Sequence, residues 1–327
     1  MDKNIKLYLT SLEFGDLQFF KNMGVVPLKT SLDRTPEYLV MKQALDQQLL
    51  VISEVSQEGR VPELKVQNKA DQPVLLLDGE ELAGAKQNRV LNTTILLAEN
   101  SETTIPVSCT EQRRWAYTSK KFAESGTVMI PKIRKIKART VSDSLHDSQQ
   151  FRSDQGTVWT SIEEMSEKAE VQSQTGAMRD VYEAKTGDLD EYLKTFICIP
   201  RQKGLLTFID GEVVGFDFLS LASAYAFLHS KLVKSYAMEA LLQKKPHTEK
   251  PDLDKAKEFL KEATRCKEKK YRSVGKGWDH RFEGKRIVGS ALKVEKKVIH
   301  MAFFDITESE KAGQIAGFRR RREFRTG

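Results

Sequence analysis

Residues Leu77 to Asn92 read Leu-Asp-Gly-Glu-Glu-Leu-Ala-Gly-Ala-Lys-Gln-Asn-Arg-Val-Leu-Asn, so Asp78, Glu80, Glu81, Lys86, Gln87, Asn88, Arg89 and Asn92 crowd into one stretch directly after an apolar run. A purely structural segment has little use for so many ionisable and amide groups. Further on, Ile105 to Trp115 repeats the pattern: an apolar approach opens into Cys109, Glu111, Arg113, Arg114 and Trp115. Two polar clusters at the ends of apolar strands suggest one shared site. Arg89 is the strongest candidate in it, because a guanidinium stays charged at any working pH and grips a phosphate or carboxylate through two parallel bonds. Its structural alternative is a salt bridge to Glu81 or Glu111. Neighbouring carboxylates can push one pKa towards neutrality, which makes Glu81 and Glu111 candidates for general acid and base; Glu80 fits a solvated turn at least as well. Gln87, Asn88 and Asn92 suit sugar hydroxyls or a base edge, Lys86 an anion, and Trp115 stacking on a ring. Turn and strand-end roles also account for the amides. Cys109 would be a nucleophile if a cation lowered its pKa, although no histidine lies near it in sequence.

Asp-Gly-Glu occurs at 78–80 and again at 210–212. Asp-Gly alone signals a turn. After Asp210-Gly211 an apolar strand resumes, as in a structural hairpin, whereas after Asp78-Gly79 the chain runs into Glu81, Lys86, Gln87 and Arg89, so only the first copy belongs to a site. His300 stands between apolar residues and reads as a satisfied core or strand-end histidine. The five histidines are dispersed and the three cysteines, Cys109, Cys198 and Cys266, show no CxxC spacing, so neither a metal site nor a disulfide framework is expected.

The elements that would position these groups follow from periodicity. Lys6 to Leu28 alternates loosely and predicts one or two strands, and Pro36 to Leu45 predicts a short helix capped by Thr35. Strand-forming runs at Val51–Val55, Leu64–Asn68, Val74–Leu77, 90–98 and 103–109 predict an antiparallel meander, with breaks at Glu58-Gly59 and Ala70–Pro73. Both clusters would then lie on neighbouring strands of one sheet. Val141–Gln174 predicts a helix around Val158, Trp159, Ile162 and Met165, and Leu205–Asp217 a hairpin turning on Asp210-Gly211. Leu221–Gln243 has the stripe of a core-facing helix, Leu253–Cys266 is a second helix capped by Asp252, and Ile287–Lys293 with Lys297–Phe304 close the chain as strands.

The fold class expected is α+β: a mostly antiparallel, β-rich core with inserted and C-terminal helices, not a Rossmann fold. With 327 residues and 39% hydrophobic content the chain can bury a sizeable core. We expect one large domain over 1–312, with lobes at 1–130 and 175–312 joined by a basic and helical segment at 131–174, and a basic, disordered tail at 313–327. No run is long enough to cross a membrane and Met1 to Lys6 lacks a signal-peptide core, so the expected location is cytoplasmic. The net charge of +7 is concentrated in Lys132, Arg134, Lys135, Lys137 and Arg139 and in the tail cations Arg319 to Arg322 and Arg325, which leaves the remainder slightly acidic. A solvated surface is the ordinary explanation, and weak nucleic-acid contact through Lys132–Arg139 and Arg319–Arg325 is the alternative.

The run LDGEELAGAKQNRVLNTTIL followed by IPVSCTEQRRW resembles the signature of the ARG and Rhodanese-Phosphatase-superfamily-associated protein domain. The likeness extends through Thr175-Gly176-Ala177, Gly204–Asp217, Ser235–Ala240 and the last two strands, and so covers nearly the whole chain except the tail. The resemblance implies association with ADP-ribosylglycohydrolase-like and rhodanese- or phosphatase-like proteins, and hence work on ADP-ribose or NAD-derived molecules. The family-like polar positions are Glu81, Lys86, Gln87, Asn88, Arg89, Cys109, Glu111, Arg114 and Trp115. Where a small residue is expected before the arginine this chain has Arg113, so Arg114 is the one carried over. There is no GxGxxG and no P-loop, so side chains would hold any phosphate, and no cofactor is expected. The function expected is binding, with hydrolysis or transfer, of a phosphorylated ribose derivative, Arg89 and Arg114 neutralising phosphate and Glu81 or Glu111 moving the proton. The alternatives are a non-catalytic ligand-sensing or scaffold domain and an RNA-associated protein.

Overall fold

The computed structural model describes residues 1–32, 36–56, 62–243, 246 and 248–306. In chain order the first elements are α1 (Lys3–Thr10), β1 (Glu13–Phe14), β2 (Gln18–Phe20), β3 (Met23–Lys29), β4 (Leu39–Val40), α2 (Met41–Asp46), β5 (Leu50–Glu54) and β6 (Glu63–Asn68). Next come β7 (Val74–Leu76), β8 (Glu80–Gly84), β9 (Arg89–Leu91), β10 (Ile95–Leu97), β11 (Ser101–Cys109) and β12 (Phe122–Val128), then α3 (Pro131–Ser148), α4 (Gln155–Lys168), α5 (Met178–Ala184) and α6 (Thr186–Thr195). The chain ends in β13 (Gly204–Ile209), β14 (Glu212–Leu219), α7 (Ala222–Leu241), α8 (Leu253–Ala263), β15 (Lys267–Arg272), β16 (Trp278–Glu283), β17 (Ile287–Val294) and β18 (Lys297–Asp305).

The architecture is α+β, as expected. A nine-stranded sheet runs β1-β3-β13-β14-β18-β17-β16-β15 with β2 also on β3, and a six-stranded sheet runs β12-β8-β9-β11-β6-β5. A three-stranded sheet, β10-β7-β4, contains the parallel pair β4 with β7; the other paired strands among the described residues are antiparallel. The lobes drawn at 130 and 175 do not follow the sheets. β3, from the first lobe, pairs along its length with β13 of the second, from Leu28 opposite Gly204 to Met23 opposite Ile209. One core cluster draws on Met23, Leu75, Val90, Val128, Ile162, Tyr236 and Phe304 together. Among the described residues no helix is long and apolar enough to cross a membrane; the tail at 313–327 lies outside them.

Several local expectations are corrected. Lys6 begins no strand: the Asp2 carboxylate accepts from the Asn4 and Ile5 N–H groups at 2.9 and 3.3 Å, and Ile5, Tyr8 and Leu9 turn inward at helical spacing. The helix expected from Pro36 starts only at Met41, because Leu39 and Val40 pair with Val74 and Leu75 of β7; Thr35 lies outside the described residues. Between Val141 and Gln174 the helix breaks, and α4 restarts with the Asp154 carboxylate accepting from the Thr157 N–H at 2.8 Å. The Asp210-Gly211 hairpin forms as read, with φ of 52° and 75°.

The largest correction concerns 131–139, read as a solvated connector. It is the first half of α3, opened by Pro131 at the first helical position, and Ile133, Arg134, Lys137, Ala138, Val141 and Leu145 form its buried stripe. Burying cations without partners would cost several kcal/mol each, on the order of the stability of the whole fold. They are paired. The Arg134 guanidinium donates to both Asp217 oxygens at 2.8 and 2.6 Å, and Lys137 Nζ donates to the Asp78 carboxylate and to the Leu91 carbonyl. Tyr236 Oη and His300 Nε2 also donate to Asp217, at 3.0 and 3.2 Å. Thr94 Oγ1 accepts from the Asp78 N–H and lies 2.9 Å from His300 Nδ1, so both ring nitrogens of His300 have partners. His300 is therefore the satisfied core histidine the sequence suggests. Burial alone would raise the Asp217 carboxyl, but Arg134 and His300 hold it far below the carboxylate range, and burial lowers Lys137 in spite of Asp78.

Candidate functional site

The two polar clusters do come together, on β8, β9 and β11 and the loops at their ends. Leu82 lies opposite Arg89 and Glu81 opposite Val90, while Arg89 also lies opposite Cys109. Successive strand residues point to opposite faces, so this register separates the clusters' members into two sets. Leu82, Leu91 and Val107 pack into the hydrophobic interior enclosed by the curled six-stranded sheet, and Val90 packs outward into the helical core. Arg89 and Cys109 share the inner face; Glu81, Asn92 and Thr110 share the outer one.

Arg89 is fully buried. Its Nη1 donates to Gln87 Oε1 at 3.0 Å and to Cys109 Sγ at 3.1 Å. The acid beside it is neither Glu81 nor Glu111 but Glu54, at the end of β5, whose Oε1 lies 3.8 Å from Nη2. The side chains are 0% and 4% exposed, yet Arg89 Nε and Nη2 and both Glu54 oxygens lack hydrogen-bond partners among the described residues. Burial raises the Cys109 thiol, and the favourable Arg89 charge does not reverse the shift. Gln155, the first residue of α4, brackets the Cys109 backbone, its Oε1 accepting from the N–H at 2.7 Å and its Nε2 donating to the carbonyl at 2.9 Å. A buried thiol held in this way is not an activated nucleophile.

Above Arg89 stands an aromatic rim. Trp115 is 48% and Tyr117 51% exposed. Lys86 Nζ lies 5.2 Å from each ring centroid, and Arg89 Cζ 5.8 Å from that of Trp115, within cation–π range. Arg114 does not join this rim as an anion site. Its Nε and Nη2 clamp the Glu111 oxygens at 2.8 and 2.5 Å, its Nη1 donates to the Ala85 and Ala116 carbonyls, and its Nη2 also reaches Asn88 Oδ1. Every donor is used, so Arg114 is a clasp between the 84–88 turn and the 111–118 segment. Burial would raise Glu111, but Arg114, the Thr175 hydroxyl and the Asn88 N–H together hold it below its ordinary range. These partners favour its charged form.

Glu81 stands apart on the outer face. It is fully buried, its oxygens accept from Thr110 Oγ1 at 2.6 Å and Thr127 Oγ1 at 3.0 Å, and burial raises its pKa to about 7 against those hydroxyls. Its value suits a general acid or base, but the sheet itself lies between Glu81 and Arg89. Asn92 is likewise on the outer face, donating to the Phe151 carbonyl and accepting from Ser108 Oγ. The Asp-Gly-Glu acids are also engaged: Asp78 with Lys137, and Glu80 with Lys231 and the Leu77 N–H. Gly79 sits at φ +86° against the Arg134 side chain, a turn that a β-carbon would crowd at 3.0 Å. A surface cavity of about 380 Å³ is bounded by α4 and by Gln112, Arg113 and Gly176, but the other residues of the two clusters do not line it.

Sequence reasoning missed Glu54, Tyr117, Gln155 and the threonines that hold Glu81. Glu54 left a signal in the parity of β5: Leu50, Ile52 and Glu54 share one face, two of them core residues, so an acid stands where an inward apolar residue belongs.

No curated protein and no solved structure matches the chain. One family description matches, over residues 11–304, a span that contains both clusters, Glu54 and the whole buried network around Asp217. The chain therefore belongs to the ARG and Rhodanese-Phosphatase-superfamily-associated Protein domain family.

Proposed function

We propose that the chain binds a phosphorylated ribose derivative, an ADP-ribose-like or NAD-derived molecule, at the rim formed by Lys86, Trp115 and Tyr117 over Arg89. The observation that carries the reading is a half-exposed indole with an ammonium and a guanidinium both within 6 Å of its centroid. A nucleotide needs that combination: a π-face for its base and positive charge for its phosphate. Glu54 offsets the charge of Arg89, so the phosphate falls to Lys86, and the roles first expected for Arg89 and Arg114 in holding it are reassigned. Binding, not turnover, is the better supported activity. Glu111 is held ionised by Arg114, the Cys109 thiol is raised by burial, and Glu81 faces the other side of the sheet. The RNA reading loses two cations of α3, Arg134 and Lys137, which are spent on buried carboxylates.

Thermal unfolding with ADP-ribose, NAD, ribose 5-phosphate, mononucleotides and a short RNA tests this. A ligand at about 100 times its Kd adds roughly 2.7 kcal/mol. With an unfolding entropy of about 2.1 cal/mol/K per residue, the 327-residue chain should melt about 4 °C higher. The shift is expected with an ADP-ribose-like compound and should vanish in Trp115→Ala, whose exposed ring the fold does not need. No shift with any compound, or an unchanged shift in the variant, overturns the proposal.

A further inference from the structure

The aromatic rim accounts for a base and a phosphate but leaves the buried pair beneath it unexplained. Arg89 Nη1 is spent on Gln87 and Cys109, and what remains is Nε and Nη2 on one side and both Glu54 oxygens on the other, all buried and without hydrogen-bond partners among the described residues. Their separation of 3.8 Å is an ion-pair distance but too long for a direct hydrogen bond, so the hydrogen-bonding capacity of both groups is unused. Buried charged groups are seldom left so, and orphaned ones call for a missing hydrogen-bonding partner. The partner's chemistry is constrained from both sides. A phosphate or carboxylate only accepts and is repelled by Glu54; an ammonium only donates and is repelled by Arg89. A hydroxyl does both. Two adjacent hydroxyls offer two donors to the two carboxylate oxygens and two acceptors to the two nitrogens.

We propose that Arg89 and Glu54 form a recognition site for the vicinal hydroxyls of a ribose. The inference rests on the reading of the rim as a nucleotide site and supplies its sugar subsite. Trp115, carried on a stretch without helix or strand and half exposed, has its ring 5.8 Å from Arg89 Cζ, so the rim adjoins the buried pair. The site thereby selects ribonucleotides over deoxyribonucleotides, since a pocket built to hydrogen-bond a hydroxyl leaves buried charges unmatched when the hydroxyl is missing.

Isothermal titration of the full chain with ADP and its 2′-deoxy, 3′-deoxy and 2′,3′-dideoxy analogues tests the assignment. Each lost hydroxyl should weaken binding about 10-fold or more, as expected for a hydrogen bond to a charged group. Glu54→Gln, which keeps the volume and one acceptor, should bind ADP more weakly and lose most of the discrimination; its unfolding midpoint without ligand checks that it folds. If ADP and the dideoxy analogue bind equally, the diol site is wrong while the nucleotide reading stands. If discrimination persists undiminished in Glu54→Gln, the hydroxyls are read elsewhere and the assignment fails. If no analogue binds the wild type, both readings fall together.

Discussion

Glu81 offers a sharp test of how this sheet handles a buried acid. Its carboxyl is fully buried, accepts from two threonine hydroxyls, and has no ion-pair partner among the described residues. Burial moves its pKa from 4.5 to about 7. Between those values the folded chain keeps a proton that the unfolded chain has released. Stability from this group is therefore complete below the unfolded value and is eroded as pH rises towards 7. At roughly 1.4 kcal/mol per unit the erosion totals about 3 kcal/mol, most of it falling between pH 5 and pH 8. Other groups titrate over the same range, so the informative quantity is the difference from Glu81→Gln. A glutamine is neutral throughout, and can accept from one threonine hydroxyl and donate to the other. Urea unfolding of both proteins at pH 5, 6, 7 and 8 should show the variant gaining on the wild type by about 2–3 kcal/mol across the series. A difference that stays constant with pH would mean that Glu81 is ionised in the fold, and the assignment of a buried, proton-carrying carboxyl would be wrong.

Two further outcomes follow from the buried pairs. Replacing Asp217 by asparagine or Arg134 by methionine strands a charge that the other had matched, so each single change should cost about 3–5 kcal/mol. The double variant should lose at least 2 kcal/mol less than the sum of the two, because it leaves neither charge behind; additive losses in denaturant melts would show that the two do not act as a pair. Arg114→Lys keeps the charge but cannot reach Glu111, Ala85, Ala116 and Asn88 together. It should cost about 2–3 kcal/mol for the several bonds lost and speed amide hydrogen exchange in 84–88 and 111–118. Exchange at the wild-type rate in both segments would remove Arg114's role as their clasp.

Much of the fold was legible because its signals are local. The Asp210-Gly211 turn, the Asp252 cap of α8, the stripe of α7 and the runs that became β5, β6, β7 and β11 each depend on residues a few positions apart. Where local signals competed, tertiary contacts decided. Leu39 and Val40 left a helical pattern to pair with β7. No expectation from the sequence covers 267–283, where β15 and β16 form: Lys267 to Arg272 make a charged, largely exposed edge strand whose pairing with β16 supplies its order. Of the candidate site, the sequence suggested that two polar clusters lie on neighbouring strands, and the structure places them on β8, β9 and β11. The sequence did not determine which face each residue takes once the register is set, and that separates Glu81 from Arg89.

The sequence by itself therefore determined the α+β class, the main hairpin and the family. Only the tertiary structure decided which charge meets which. Lys137 finds Asp78 across 59 positions and Arg134 finds Asp217 across 83, while Arg89 faces Glu54 from another strand. A charge carries no address: it names the sign of its partner but not the partner. Burial raises the strength of whichever match the packing of strands and helices brings together, so the cations that looked like a solvated run became the centre of the molecule.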